Sequence, residues 1–260
     1  MSSLDVLWWA GWVYFAAWVA LPLAALPMLG AVPGLVAWAL LAPWSALIGM
    51  ATLHRLLPDS EAGKFRMFAD RGSVHWALKG WAPSVYLTVF QPVVFQSPGF
   101  QRLALRAFGA RLAPGALTTS RTIIREPHRV RLGAGSLVGE YAHLVCSYQP
   151  RPGILVVDRI EIGDQVLVGA YSHLAPGVRI GDGCLLEHAV MVGVHSTLGA
   201  RSRIGAGTTI YNGVRIGADV SIGKGCFVGS GSVIPDGASI PDGTMVGAEP
   251  SLRSGPGSVA

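Results

Sequence analysis

A six-residue spacing of branched aliphatic residues runs through the second half of the chain. This period fits neither the 3.6 residues of an α-helix nor the two-residue alternation of a long strand, so a repeated supersecondary unit must produce it. The residue four places after each position is uncharged and small or branched, from Ile160 to Thr244. Two of every six side chains are therefore predicted to point into the core of a solenoid. The sixteen positions are Val156, Ile162, Val168, Leu174, Ile180, Leu186, Val192, Leu198, Ile204, Ile210, Ile216, Ile222, Val228, Ile234, Ile240 and Val246.

Glycine often follows these aliphatic positions, as at Gly163, Gly181 and Gly217. We expect these glycines to supply permissive backbone dihedrals at sharp corners. The repeats resemble the hexapeptide-repeat family, in which three six-residue faces form one coil of a left-handed parallel β-helix. The predicted fold is therefore an all-β left-handed β-helix. Sixteen repeats correspond to about five coils, or roughly 25 Å at about 4.8 Å per strand layer.

The resemblance also implies a function. Members of this family are mostly acyltransferases that act as homotrimers, with an acyl-CoA in the groove between subunits and a histidine as general base. For this chain it implies acetyl-CoA or another acyl-CoA as co-substrate, bound by backbone amides and small residues of the later coils. The stretch GSGSVIPDG at 229–237 resembles the family's GAGSVV motif. The residues assigned to acyl-CoA on this basis are Gly205, Ala206, Gly223, Gly229, Ser230 and Ser232.

The six-residue spacing extends upstream and is then interrupted. Leu132, Val138 and Leu144 keep the spacing, and the pattern breaks at Pro150. Residues 146–153 are predicted to form a loop that leaves the coil. Loops displaced from a rigid scaffold often carry chemistry. A tolerated surface insertion explains the sequence equally well.

The other end of the chain has the composition of a membrane anchor. No Asp, Glu, Lys, Arg or His occurs between Val6 and Leu53. A single span needs about 20 apolar residues, so this stretch is long enough for two. Pro and Gly cluster between its halves, which predicts spans at about 5–26 and 34–53 and a turn near 27–33. A cleaved signal peptide does not fit, because the start lacks a basic region and the apolar stretch is too long.

The charges that follow the hairpin predict its orientation. Arg55, Lys64 and Arg71 are among the basic residues that come directly after it, and the positive-inside rule makes that side cytoplasmic. The predicted location is the inner membrane, with the β-helix facing the cytoplasm, where acyl-CoA is found. The three cysteines, an odd number, argue against a disulfide framework.

The net charge of +5 also bears on the partner. The basic residues between Arg102 and Arg131 are not interleaved with aromatics in a pattern typical of nucleic-acid binding. They follow a membrane hairpin, so we expect anionic lipid headgroups, and no nucleic acid, to be their partner. The segment 54–126 is interpreted as an interfacial layer. Within it, residues 100–112 are predicted to form an amphipathic helix that lies in the headgroup plane, caps the open end of the β-helix, or does both.

Acyl transfer needs a base, and imidazole suits this role because its pKa lies near neutrality. His143 is the first candidate, since it points outward from the coil and precedes the displaced loop. His173 points outward in the same register, whereas His188 and His195 fall at corners. These three are the alternatives. Glu187 could orient His188 only if the backbone turns there.

A second resemblance concerns residues from about 50 to 200. The stretch from Gly109 to Cys146, followed by VVDRIEIGD, resembles the membrane-linked β-helix units at the end of certain nonribosomal peptide synthetases, which place a histidine where His143 stands. The chain departs from the soluble sugar O-acetyltransferases of the colanic-acid type. Those carry a His-Asp or His-Pro pair inside the loop, and the nearest match here is Gln149-Pro150.

A metal site is not predicted. γ-Class carbonic anhydrases share this β-helix and bind zinc through three histidines, two of them five residues apart. The spacings between His173, His188 and His195 are fifteen and seven residues, so this chain has no such pair.

The predicted organisation has four parts: a transmembrane hairpin at 1–53, interfacial helices at 54–126, the β-helix acyltransferase domain at 127–248 and a flexible tail at 249–260. Two function classes remain open. One is a membrane-anchored acyltransferase that modifies a hydroxyl or amine of a glycan, a lipid-linked molecule or a secondary metabolite. The other is a noncatalytic trimeric β-helix that acts as the scaffold of a polymer-synthesis complex.

Overall fold

The computed structural model describes residues 3–25, 31–94, 97–119 and 121–247. Most of the predicted turn near 27–33 and the predicted tail at 249–260 lie outside the described residues. The helices precede the solenoid in the chain. They are α1 (Ser3–Ala20), a 3₁₀ helix (Leu21–Ala25), α2 (Ala31–Leu56), α3 (Arg71–Val89), α4 (Gln91–Val94) and α5 (Pro98–Ala107), and a further 3₁₀ helix covers Pro127–Arg129.

Helices α1 and α2 pack against each other in antiparallel directions. The Tyr14 hydroxyl donates to the Gly49 carbonyl at 3.1 Å, and the Ser45 hydroxyl donates to the Trp18 carbonyl at 2.7 Å. One helix, Val32–Leu56, is long and apolar enough to cross a membrane, whereas the apolar part of the first, Trp9–Ala24, is shorter. The structure therefore contains a helical hairpin with one candidate span among the described residues.

Within the described residues, twenty-one short strands form the solenoid, seven in each of three parallel sheets. The first face contains β2 (Arg111–Leu112), β5 (Val130–Leu132), β10 (Ile160–Ile162), β13 (Arg179–Ile180), β16 (Thr197–Leu198), β19 (Arg215–Ile216) and β22 (Val233–Ile234). The second face contains β3 (Leu117–Thr118), β6 (Leu137–Val138), β11 (Leu167–Val168), β14 (Leu185–Leu186), β17 (Arg203–Ile204), β20 (Ser221–Ile222) and β23 (Ser239–Ile240). The third face contains β4 (Ile123–Ile124), β7 (His143–Leu144), β12 (His173–Leu174), β15 (Met191–Val192), β18 (Thr209–Ile210), β21 (Phe227–Val228) and β24 (Met245–Val246). Each coil takes one strand from every face, so the solenoid has seven coils, numbered from the N-terminal end.

The core confirms the predicted inward positions. The aliphatic residues from Ile162 to Ile234 at the six-residue spacing are all buried, and Ile240 and Val246 are partly buried. The second inward position is also buried from Ile160 to Cys226, even where it is polar, and is half-buried at Ser232, Ala238 and Thr244. The Ser196 hydroxyl, for example, donates to the Tyr211 carbonyl at 2.7 Å and accepts from the Val214 amide at 3.1 Å. Serine is tolerated in this core because its hydroxyl bonds the backbone of the next coil.

The solenoid is longer than the sequence spacing indicated. Coils 3–7 carry the positions from Ile162 to Val246, which confirms the five predicted coils, and Leu132, Val138 and Leu144 belong to coil 2. Coil 1, residues 111–124, lies in the segment that the sequence analysis assigned to an interfacial layer. The 3₁₀ helix at Pro127–Arg129 lengthens the step from Ile124 to Leu132 to eight residues, which hid this coil.

The prediction for Val156 is wrong, because this residue lies in a hairpin outside the coils. Strands β8 (Ser147–Arg151) and β9 (Ile154–Val157) form the hairpin, and β1 (Gly63–Arg66) pairs with β9. At its root, the Asp158 amide donates to the Cys146 carbonyl at 2.9 Å. The predicted displacement of residues 146–153 is therefore confirmed, and the displaced segment is an antiparallel strand pair.

Helix α5 covers the open end of coil 1. The Arg102 guanidinium donates to the carbonyls of Ala116 and Ala113 at 2.9 and 2.8 Å, and Arg106 donates to the Leu112 carbonyl at 2.5 Å. The predicted cap is observed, but the helix ends at Ala107, because Arg111–Leu112 already form a strand of coil 1. A position in the headgroup plane stays a prediction. The solenoid therefore uses these two arginines itself, and lipid headgroups as a partner of the basic segment stay a prediction.

The predicted reason for the glycines is also wrong. Glycines that directly follow an inward aliphatic residue, such as Gly181, have ordinary negative φ, with Gly247 as an exception. Their small size is needed because neighbouring coils approach closely: a Cβ on Gly181 would lie 2.7 Å from the Ala200 amide nitrogen. Left-handed φ occurs two residues later, at corners held by glycine or by residues such as His195 (φ 55°).

We expect Gly181→Ala to destabilise the solenoid by about 1–3 kcal/mol, because the added methyl group would overlap the rigid backbone of the next coil. Thermal unfolding by circular dichroism measures this. Gly80→Ala is the control, since a Cβ at this position of α3 meets no atom within 4 Å. If both variants melt at the same temperature, close approach of the coils is not what selects glycine.

Candidate active site

The third face carries the two outward histidines of the coils. The outward residue of each strand precedes the inward aliphatic residue, so these residues stack one coil above another at about 4.8 Å. We call this column the third-face ladder. From coil 1 to coil 7 its members are Ile123, His143, His173, Met191, Thr209, Phe227 and Met245.

His143 and His173 occupy neighbouring positions of this ladder, as the sequence register predicts. Their ring centroids are 5.9 Å apart, and both side chains are half-buried. Burial, followed by the charge of a protonated His143, lowers the pKa of His173. The His173 ring is therefore neutral near pH 7, the form that can accept a proton. His143 also lies four residues before the start of the hairpin at Ser147.

His195 lies at the exit edge of the third face, the edge where the chain passes to the first face of the next coil. Its Nε2 lies 3.1 Å from Asp158 Oδ2, and the other oxygen of Asp158 accepts from the Arg159 amide at 2.7 Å. The imidazole passes directly over Gly177, where a Cβ would overlap the ring. A carboxylate therefore orients His195 at the root of the hairpin. The sequence analysis missed Asp158, because it is 37 residues away and no local pattern links it to a histidine.

His188 lies at the opposite, entry edge of the third face, in coil 4, and is exposed. The neighbouring Glu187 does not orient it, because its Oε2 accepts from the Ala206 amide of the next coil at 3.0 Å. Among the described residues no carboxylate forms an ion pair with His188. His188 is thus the least supported of the four histidine candidates.

The residues assigned to acyl-CoA divide between the two edges of the third face. Gly205, Ala206 and Gly223 lie at the entry edge of coils 5 and 6, and residues 229–232 lie at the exit edge of coil 6, two coils above His195. The solenoid already uses many of their amides. Hydrogen bonds within it engage the backbone N–H groups of Gly205, Ala206, Gly223, Gly229 and Ser232. Ser230 is exposed, and its hydroxyl has no hydrogen-bond partner among the described residues. The assignment of these residues to acyl-CoA stays a prediction.

A buried carboxylate holds the hairpin root in place. Glu126 accepts from Trp76 Nε1 at 3.1 Å, from the Ser147 hydroxyl at 2.6 Å and from the Cys146 amide at 3.3 Å. Helix α3, coil 1 and the hairpin therefore meet at one side chain. Sequence reasoning missed this residue too, because its partners lie 20 to 50 residues away in the chain.

A charged cleft adjoins the His195–Asp158 pair. It has a volume of about 410 Å³ and is lined by Asp59, Asp158, Arg159 and Arg179, among others. Asp59 is itself paired. Burial alone would raise its pKa, but the hydrogen bond with His128 and the charge of Arg129 hold it at about 2. In the described part of the chain, no three His, Cys, Asp or Glu side chains are grouped so that they could hold a metal ion.

The repeats match known family models. Residues 159–194 and 195–229 match the bacterial transferase hexapeptide (six repeats), and residues 219–248 match the hexapeptide repeat of succinyl-transferase. The predicted hexapeptide repeats are confirmed over this part of the chain. Both models are named for transferases, so the predicted enzyme class, an acyltransferase, is confirmed to that extent. A search of curated protein sequences gave no match.

Solved structures give the same kind of match at low identity. An N-acyltransferase from Bacillus cereus in complex with dTDP and coenzyme A is 16% identical over 50% of this chain and 78% of that chain, with a TM-score of 0.42. A hexapeptide-repeat acetyltransferase from Vibrio cholerae complexed with acetyl coenzyme A is 16% identical over 55% and 82%, with a TM-score of 0.39. A perosamine N-acetyltransferase from Caulobacter crescentus is 20% identical over 56% and 59%, with a TM-score of 0.32.

The lowered pKa of His173 predicts a pH-dependent stability. In the unfolded chain His173 takes up a proton near its ordinary pKa of about 6.5, above the pKa of the folded state. The stability linked to this group is thus complete above pH 6.5 and is lost as the pH falls. We expect the melting temperature to fall less between pH 7.5 and 5.5 in His173→Gln than in the parent protein. The exposed control His188→Gln should follow the parent. Identical falls in all three proteins would contradict the prediction.

Proposed function

We propose that this chain is an acyl-CoA-dependent acyltransferase that transfers an acyl group, acetyl in the first instance, to a hydroxyl or amine. The acceptor would be a glycan, a lipid-linked molecule or a secondary metabolite. The observation that carries the proposal is the position of the β8–β9 hairpin. It leaves the solenoid after His143 and returns to it at Asp158, so its two ends adjoin the His143–His173 pair and the His195–Asp158 pair.

The proposed reaction has two proton transfers, one from the acceptor and one to the leaving thiolate. As the acceptor oxygen or nitrogen attacks the thioester carbonyl, the imidazole takes the proton that the acceptor loses. The C–S bond breaks, and the leaving CoA thiolate takes up a proton. We assign the base to His143. Its neighbour His173 is neutral near pH 7, so His143 can take up the acceptor's proton without a positive charge beside it.

His195 is the second candidate for the base, on a specific observation. The Asp158 carboxylate holds its Nε2, which leaves Nδ1 as the proton acceptor and would stabilise the imidazolium that forms. His195 also lies on the exit edge that carries residues 229–232, at roughly 10 Å for two coils. The two assignments make different predictions for single substitutions.

The location and assembly belong to the same proposal. The α1–α2 hairpin would anchor the protein in the inner membrane, supported by the apolar helix Val32–Leu56 and by the basic residues that follow it. The solenoid would then face the cytoplasm and its acyl-CoA. A homotrimer would complete the acyl-CoA groove between neighbouring subunits. Membrane lipids are the expected partners of the α1–α2 hairpin.

Single histidine substitutions test the proposal. We expect His143→Ala to reduce acetyl transfer by roughly two to four orders of magnitude, because the proton acceptor is lost while the coil keeps its inward residues. Thiol release from acetyl-CoA by the detergent-solubilised protein measures turnover, with total membrane lipid extract as the source of acceptors. His188→Ala is the matched control and should retain activity.

The same series separates the alternatives. Loss of activity in His195→Ala and Asp158→Asn, with His143→Ala unaffected, would move the base to His195. A parent protein that neither binds nor turns over acetyl-CoA would exclude the enzyme and favour the noncatalytic scaffold of a polymer-synthesis complex.

A further inference from the structure

A long groove runs along α3 beside coil 1. It consists of two clefts, of about 390 and 210 Å³, that share three lining residues: Ser84, Thr88 and Arg125. We call the joined clefts the α3 groove. It lies between the helical layer and the solenoid, and none of the residues assigned above to catalysis or to acyl-CoA lines it.

The larger half of the α3 groove is mainly aromatic and aliphatic. Trp12 of α1 and Trp81 of α3 meet edge to face, with ring centroids 6.0 Å apart, and Val85 and Val89 continue the wall. Trp76 also lines this half, and its indole nitrogen is already bonded to Glu126. The wall thus has large apolar surfaces, against which burial of a hydrocarbon tail is favourable.

One charge lies where the two halves meet. Arg125 is exposed, and among the described residues no carboxylate lies within 4 Å of its guanidinium. The adjacent Glu126 does not neutralise it, because its carboxylate is buried and accepts hydrogen bonds from Trp76, Ser147 and Cys146. An unneutralised guanidinium is complementary to a phosphate, which it can bind through two parallel hydrogen bonds.

The smaller half of the groove opens toward the third-face ladder. Its lining includes Ile123, the first member of that ladder, and Ile123 is the direct strand partner of His143. The step between them is one strand spacing, about 4.8 Å. The smaller half therefore reaches the ladder position next to His143.

We propose that the α3 groove binds the acceptor, and that this acceptor is a lipid phosphate: a hydrocarbon chain against the tryptophans, a phosphate on Arg125, and the group to be acylated beyond the phosphate, toward His143. This inference rests on the proposed function for the acylation and names its acceptor class. Binding of the lipid phosphate depends on the groove alone.

Binding of dodecyl phosphate to the full-length protein tests the inference. Native mass spectrometry of the protein released from dodecyl maltoside micelles measures the fraction bound. We expect Arg125→Gln to weaken binding at least fivefold because the phosphate partner is lost. Thr88→Trp should do the same by filling the junction of the two halves. The matched controls are Arg215→Gln, an exposed arginine on the first face, and Leu103→Trp, an exposed position of α5 outside the groove. Both should bind like the parent protein.

Two further probes identify the chemistry. Dodecanol and inorganic phosphate should each bind at least fivefold more weakly than dodecyl phosphate. Equal binding of dodecanol would show that the groove recognises only a chain, and equal binding of inorganic phosphate would show that it recognises a free anion. Either result overturns the proposal, as does unchanged dodecyl phosphate binding in Arg125→Gln and Thr88→Trp. If dodecyl phosphate binds as expected but acetyl-CoA is not turned over, the proposed function fails and the lipid phosphate site remains.

Discussion

The close stacking of successive coils is the constraint on which the rest of the structure depends. At about 4.8 Å per coil, backbone meets backbone at the corners, and a side chain at Gly181 or Gly205 would overlap the next coil. Inside, each coil has room for two small or branched residues per face, and a hydroxyl such as that of Ser196 replaces a methyl group only by bonding the coil above it. The same stacking aligns the outward residues into ladders. A single outward histidine in one coil is therefore necessarily a neighbour of the outward residue in the next.

A β-solenoid has two open ends, and at its N-terminal end this protein uses the helical layer as the cap. Arg102 and Arg106 donate hydrogen bonds to carbonyls of coil 1. The charge pattern alone is equally consistent with binding of these arginines to a lipid surface. Below them, the Arg129 guanidinium donates to Asp59 and Ser60, and Glu126 joins α3 to the hairpin. Buried charges are costly unless they are paired, so these contacts fix the helices against the coils. The relative position of the α3 groove and the third-face ladder depends on them.

Sequence spacing predicted the coils well because each coil repeats one local rule. It placed the inward residues from Ile162 onward and the outward register of His143 and His173. It failed where a local change shifts the register: the two extra residues near Pro127 hid coil 1, and Val156 matched the spacing by coincidence inside a hairpin. It also failed for contacts between distant segments. Asp158 and Glu126 act through partners 20 to 50 residues away, and a single sequence carries no signal for such pairs.

The two ends of the third face differ in a way that the repeat does not require. Coils 1 to 3 present Ile123 and two imidazoles beside the α3 groove with the Arg125 guanidinium, whereas coils 5 and 6 present Thr209 and Phe227 between the edges that carry Gly205 and Ser230. Acyl transfer brings two substrates together, and the acceptor gives its proton to the base. On the proposed function, the acceptor would enter from the helical layer and the thioester from the later coils. The β8–β9 hairpin leaves the solenoid after coil 2, between these two proposed approaches.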